Sequence, residues 1–177
     1  MDKKELRKKI REQKRAMSEE QIVSASARLG ELFLNCSQYK EAKTIYGYLP
    51  YNQEVRTVPM LEQAMKDGKR VAVPKCYGDE MRFIYMDDLS KVEKGYANIP
   101  EPIADEPVAD DKTALVLMPG MAFTKDGKRM GYGGGFYDKF LAAEPEHPTV
   151  ALCYAFQMVE DLPTEEYDIP VDCVLWA

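Results

Sequence analysis

The sequence is short of the residues that carry most side-chain catalysis. It holds one histidine in 177 residues, and four cysteines that form no C-x-x-C pair. His147 lies in the loop-like Pro145-Glu146-His147-Pro148, a poor setting for a general base, so Ser-His-Asp and Cys-His chemistry is disfavoured. The dispersed Cys36, Cys76, Cys153 and Cys173 lack zinc spacing and read as small apolar residues rather than disulfide partners. Long apolar runs are missing too. None approaches the length of a bilayer span, and no secretory apolar segment follows Met1, so a soluble, cytoplasmic protein is expected, without a membrane partner.

Charge is abundant but uneven. Residues 1–15 carry a net +5, within a chain whose net charge is −6. Leu6, Ile10 and Met17 make a thin apolar stripe among these bases, which predicts a basic helix over 1–17 lying on the domain, most of its charges forming a solvated face. The acidic remainder argues against a nucleic-acid partner, whereas a small polyphosphate needs only two or three cations.

The length suits one domain spanning residues 1–177, and the expected state is a monomer, with a dimer as the alternative. Ser18-Glu19-Glu20-Gln21 is a capping box opening a helix to about Asn35, with Ile22, Leu29, Leu32 and Phe33 inward. Strands are predicted at 44–49, 70–74, 81–86, 114–118, 149–154 and 171–176, the third antiparallel at an edge, with helices over 58–66 and after 136. Asn98-Ile99-Pro100-Glu101-Pro102 reads as a stiff loop. The alternation predicts an α/β fold, a three-layer sandwich around a mostly parallel central sheet flanked by helices.

Against this background one stretch stands out: Arg129-Met130-Gly131-Tyr132-Gly133-Gly134-Gly135-Phe136-Tyr137-Asp138-Lys139. Glycine at this density serves positive φ or the close approach of another group. An apolar strand precedes it and helical spacing follows it, so the glycines sit at a helix N-terminus, where free N–H groups hold anions. Neither the dinucleotide fingerprint nor the P-loop pattern fits. Arg129, the basic helix, the aromatics Tyr132, Phe136 and Tyr137, and the acids Asp138 and Asp172 make a set poor in nucleophiles and rich in phosphate and metal partners. Such a set suits phosphoryl transfer by positioning and charge. Asp172 interrupts an apolar run, so it sits at a sheet end or has a partner, of which a cation is one.

Met118-Pro119-Gly120-Met121-Ala122-Phe123, the Asp126-Gly127 turn and the glycine stretch resemble the signature of the 5-formyltetrahydrofolate cyclo-ligase family, also called methenyltetrahydrofolate synthetases. Lys3-Lys4-Glu5-Leu6-Arg7, Leu49 to Glu54, Asn98 to Pro102 and Val171-Asp172 are similar to further family motifs, so the resemblance covers the whole chain. It implies ATP- and Mg²⁺-dependent closure of 5-formyltetrahydrofolate to 5,10-methenyltetrahydrofolate through a phosphorylated formyl oxygen, with ADP and phosphate released. Lys3, Lys4, Arg7, Arg129, Gly131, Gly133, Gly134, Gly135 and Tyr137 are implied for ATP. Leu49, Glu54, Tyr132, Phe136 and the last three of those glycines are implied for the folate, with Arg129, Glu54 and Tyr137 acting in catalysis. Asp138 and Asp172 are implied for Mg²⁺. Two positions depart from the pattern: Phe136 stands where many members have tyrosine, and Gly134 where some have lysine. A non-catalytic folate-binding protein stays open as an alternative. So does a sugar-phosphate isomerase or CoA-transferase-like enzyme, for which Glu54 is the one candidate base.

Overall fold

Strand residues alternate between two faces, and that alternation divides the core. A computed structural model describing residues 1–177 contains helices α1 (Lys3–Arg15), α2 (Glu19–Asn35) and α3 (Ser37–Glu41), strand β1 (Thr44–Tyr46), and helix α4 (Val58–Lys66). Strands β2 (Arg70–Tyr77), β3 (Glu80–Met86), β4 (Val92–Lys94), β5 (Pro100–Pro102), β6 (Leu115–Met118), β7 (Ala122–Phe123) and β8 (Arg129–Met130) follow. Helix α5 (Phe136–Ala143), β9 (Thr149–Cys153) and β10 (Cys173–Trp176) complete the chain. Six strands form one sheet in the order β10-β9-β6-β1-β2-β3, parallel throughout except for β3, which returns antiparallel along β2.

On one face Ile45, Val71, Leu115 and Val150 meet Leu29 and Phe33 of α2 and Leu61 of α4. On the other, their neighbours Tyr46, Ala72, Val116 and Ala151 meet Leu141 of α5. This is the three-layer sandwich that strand-helix alternation predicts. Side chains such as Leu29, Phe33 and Leu61 are fully buried, each stabilising the fold by about 1.5–3 kcal/mol relative to exposure. A third, smaller cluster seats α1: Ile10 lies against Met121, Ala122, Met130 and Leu162, with Leu6 beside it. The basic N-terminal helix therefore packs on the domain through the expected stripe. No helix is long and apolar enough to cross a membrane.

Three expectations change. Leu32 is 45% exposed, because the buried stripe of α2 runs through Ile22, Ala25, Ser26, Leu29, Gly30 and Phe33 and leaves Leu32 at its margin. The proline-bounded loop after Asn98 is the second arm of a hairpin, with Val92 opposite Pro102 and Lys94 opposite Pro100. The last strand begins at Cys173, so Asp172 precedes it.

Candidate functional site

Open parallel sheets bind ligands where adjacent strands send their connections to opposite faces. Here that place is the carboxyl end of β1 and β6: β1 continues into α4 on one face, and β6 leads to α5 on the other. A cavity of about 430 Å³ opens there, a size suited to a ring-bearing small molecule. The segment after β1 contributes Tyr48, Leu49 and Glu54, and the segment after β6 contributes Pro119, Arg129, Tyr132, Gly134, Gly135, Phe136 and Tyr137. The β4–β5 hairpin adds Tyr96, Ile99 and Glu101, and α1 adds Arg11, Lys14 and Arg15.

Glu54 is the acid of this wall. Its Oε1 accepts the Tyr51 N–H at 2.9 Å and its Oε2 accepts the Tyr132 hydroxyl at 3.1 Å. Burial raises its pKa, while Lys14 and these two hydrogen bonds pull it back down. A carboxylate so placed keeps lone pairs for a further N–H donor. Burial raises the pKa of Tyr48 and Tyr137, and in the half-exposed Tyr132 desolvation of the hydroxyl and the Glu54 carboxylate beside it do the same, so the site's phenols act as neutral hydrogen-bonding groups, not bases.

Arg129 is the fixed cation. Its Nε donates to the Pro119 carbonyl at 2.7 Å, its Nη1 lies 3.6 Å from Asp138 Oδ2, and its guanidinium sits 5.5 Å from the Tyr137 ring centroid. Burial lowers its pKa and Asp138 opposes that shift; a guanidinium stays charged in any protein setting. The β7–β8 hairpin, turning at Asp126-Gly127, delivers this arginine and the glycines beyond it. Gly135 has φ +69° and starts α5 with no side-chain cap. The first N–H groups of the helix thus lack a side-chain acceptor, the condition for anion binding. Phe136 meets Tyr96 edge-on at 5.1 Å, closing the aromatic side of the cavity.

Among the residues singled out from the sequence, the cavity unites Leu49, Glu54, Arg129, Tyr132, Gly134, Gly135, Phe136 and Tyr137. Gly131 and Gly133 lie in the same loop but do not line the cavity. Lys3, Lys4 and Arg7 do not line it, since they sit two or more turns before Lys14 on α1. Arg11, Lys14 and Arg15 take their place. The sequence hid them inside a charge run that reads as a solvated face, although Lys14 shares the stripe of Ile10 at i+4 spacing.

The two acids expected to share a metal are not brought together. Asp172 is at the amino end of its strand, where its carboxylate accepts the Thr149 N–H at 2.9 Å and the Thr149 hydroxyl at 3.2 Å. Asp138 is in the first turn of α5, one oxygen accepting the Ile169 N–H at 3.1 Å and the other facing Arg129. No group of three or more potential ligands is arranged to hold a metal ion. Asp138 and Asp172 do not fit as a shared magnesium site. Sequence alone left Asp172 either at a sheet end or beside a partner, and the structure gives it both.

Comparison with known proteins bears on this geometry. The chain is 30% identical to the 5-formyltetrahydrofolate cyclo-ligase of Escherichia coli (strain K12), covering 94% of this chain and 95% of that one. It is 29% identical to the mouse (Mus musculus) protein of the same name, over 97% of this chain and 91% of that protein. The NMR structure of Aquifex aeolicus 5,10-methenyltetrahydrofolate synthetase superposes with a TM-score of 0.85 at 30% identity, over 99% of this chain and 90% of that one. The Mycoplasma pneumoniae 5,10-methenyltetrahydrofolate synthetase, at 24% identity and TM-score 0.78, shares the fold. With the family profile matching residues 1–177 and the signature residues Arg129, Tyr132, Gly134, Gly135, Phe136 and Tyr137 walling this cavity, the chain belongs to the 5-formyltetrahydrofolate cyclo-ligase family.

Proposed function

We propose that the protein closes 5-formyltetrahydrofolate to 5,10-methenyltetrahydrofolate at the expense of ATP. The observation that carries this is the meeting of an acid and an anion-binding loop across one cavity: Glu54 lines the same 430 Å³ space as Arg129 and the glycine-led start of α5. Glu54 takes the N–H edge of the pterin, with Leu49, Tyr132 and Phe136 walling the ring. The γ-phosphate lies against Arg129 and the N–H groups of the glycine loop.

An amide oxygen is a poor leaving group, and phosphorylation cures that. The N5-formyl oxygen attacks the γ-phosphorus and ADP departs; N10 then attacks the activated carbon, loses its proton, and phosphate leaves with the former formyl oxygen. Both nucleophiles belong to the substrate. The reading therefore asks the protein for no nucleophilic side chain, in keeping with a chain of one histidine and neutral phenols. Its contribution is alignment and stabilisation of developing phosphate charge. Tyr137, its ring centroid 5.5 Å from the Arg129 guanidinium, adds a neutral phenol to the site. Magnesium belongs in this reading as the ion on the nucleotide's own phosphates, since such ions keep several waters and need few protein ligands.

The test is near-ultraviolet absorbance after mixing protein, 5-formyltetrahydrofolate, Mg²⁺ and ATP, against a control without ATP. A methenyl chromophore that requires ATP is expected. Folate binding without chromophore would turn the assignment to a non-catalytic folate-binding protein, and neither signal would remove the folate reading.

A further inference from the structure

A lysine seldom sits inside a protein unless something holds it there. Lys14, in the last turn of α1, is only 7% exposed, whereas the charged residues around it on the helix reach solvent or the open cavity. Its Nζ donates to the Tyr132 hydroxyl at 3.2 Å, and that hydroxyl in turn donates to Glu54 Oε2 at 3.1 Å. Three elements far apart in sequence, the N-terminal helix, the glycine loop and the segment after β1, are thereby joined by two hydrogen bonds. Arg11 and Arg15 line the same cavity with no internal hydrogen bond or ion pair, which leaves them free to meet substrate anions. Lys14 alone is committed to a partner.

We propose that Lys14 is a positioning residue for folate recognition: through Tyr132 it holds Glu54 as the anion that meets the N–H edge of the substrate. The inference rests on the folate reading of the site above. Its physical basis is a conflict that Glu54 cannot resolve alone. Burial favours the protonated carboxyl, and a protonated carboxyl would present an O–H to a pterin edge that needs acceptors. Burial lowers the pKa of Lys14 as it raises that of Glu54, and each is the leading charge that opposes the other's shift, so the pair sustains both charges; Tyr132 joins them by accepting from the ammonium while donating to the carboxylate. The other groups facing Glu54 do not substitute for it. Tyr48, Tyr132, Tyr137 and Tyr154 are neutral, the Tyr51 N–H is a dipole, Arg129 is paired with Asp138, and Glu101 on the opposite wall is itself an acid. Arg56 donates to the Glu54 backbone carbonyl at 3.4 Å but is paired with Glu19 at 3.1 Å, and Arg11 and Arg15 have no hydrogen-bonded path to Glu54.

The experiment is steady-state kinetics of the full chain from pH 5 to 9, varying 5-formyltetrahydrofolate and ATP separately, for wild type, Lys14→Met, Lys14→Arg and Tyr132→Phe, with thermal melts of each. In Lys14→Met the KM for 5-formyltetrahydrofolate should rise about tenfold on the acid side of the carboxylate's titration, where a one-unit rise in its pKa cuts the ionised fraction about tenfold, and less at neutral pH. The KM for ATP should change little. The acid limb of kcat/KM should move to higher pH, so that raising the pH restores folate affinity. Lys14→Arg should recover most of the loss because the charge returns, and Tyr132→Phe should shift the limb less because both charges remain. An unmoved acid limb in Lys14→Met, with both KM values rising together or only the melting temperature falling, would reduce Lys14 to a structural residue. Failure of the wild type to bind 5-formyltetrahydrofolate would instead remove the folate reading itself, and is seen before any variant is compared.

Discussion

Asp138 divides its carboxylate between two partners, Oδ2 lying 3.6 Å from Arg129 Nη1 while Oδ1 accepts the Ile169 N–H. The pair is largely enclosed, with side chains 7% and 19% exposed. Removing one member of a buried pair leaves the other uncompensated. Asp138→Asn should therefore cost about 2–4 kcal/mol of stability, the lower figure applying if the amide keeps the Ile169 hydrogen bond. Activity should fall through a displaced Arg129, while the magnesium concentration giving half-maximal rate stays within about twofold, since no protein-held ion is lost. Urea denaturation and magnesium titrations check the two halves. A tenfold rise in the magnesium requirement of a stably folded variant would return the ion to Asp138.

Two glycines flanking the site separate a structural demand from a functional one. A Cβ at Gly127, φ +93°, would stand 2.1 Å from the Val171 carbonyl oxygen, a backbone atom that cannot move aside. Gly127→Ala should cost about 3 kcal/mol or more and yield little folded protein. At Gly135, φ +69°, a Cβ would meet nothing within 4 Å. Gly135→Ala should cost only about 1–2 kcal/mol of backbone strain, but it tilts the first N–H groups of α5 away from a bound phosphate. Its melting curve should stay near wild type while ATP affinity drops about tenfold, read by equilibrium nucleotide binding. Equal loss of stability in both variants would deny the loop its special part.

The difference between what could be read from the residues and what could not has a physical pattern. Signals confined to one segment came through: the capping box at Ser18, the apolar run of β6, the Asp126-Gly127 turn and the glycines before α5. Features decided by the far side of a contact did not. The β4–β5 hairpin is made of short strands bearing prolines at Pro100 and Pro102, so no alternation marks it. Lys14 bonds to Tyr132 and through it to Glu54, residues far along the chain that no local pattern connects to it. Asp172 sits at a strand terminus and has Thr149 as its partner, the two outcomes that its place in an apolar run left open. Only the strand's direction in the sheet shows that this end faces away from the cavity.

His147 offers a test of the view that the site needs no imidazole. Its Nδ1 is 2.8 Å from the Ala114 carbonyl and its Nε2 is 2.9 Å from Glu144 Oε1, and its ring stacks on Phe140 at 5.3 Å. These contacts tie the end of α5 to the residue just before β6, away from the cavity. His147→Phe should keep the stacking and lose both hydrogen bonds, at a cost of about 1–3 kcal/mol. Its kcat and the shape of its pH profile should match wild type at temperatures below the melt. Loss of a limb of that profile would show the histidine taking part in turnover.

Glu54 should reveal a trade of stability for binding. Because burial raises its pKa, the folded state holds a proton over a range of pH in which the unfolded chain has released it. The stability tied to that proton is complete below the unfolded carboxyl pKa and is lost as pH rises through the folded one. At neutral pH the wild type therefore carries the cost of an enclosed carboxylate. Glu54→Gln removes the charge, and its amide can still accept from Tyr51 and donate to Tyr132. Its melting temperature should equal or exceed that of wild type at pH 7 to 8, with the gap closing as the pH falls toward about 4, the ordinary glutamate range. Folate binding should meanwhile weaken about a hundredfold, because a charge-assisted acceptor pair becomes one neutral acceptor and one donor. ATP affinity should hold. Thermal melts across pH, paired with 5-formyltetrahydrofolate titrations, measure both sides. A variant that loses stability at neutral pH yet binds folate normally would mean that the carboxylate serves the fold, and that the pterin edge is read elsewhere in the cavity.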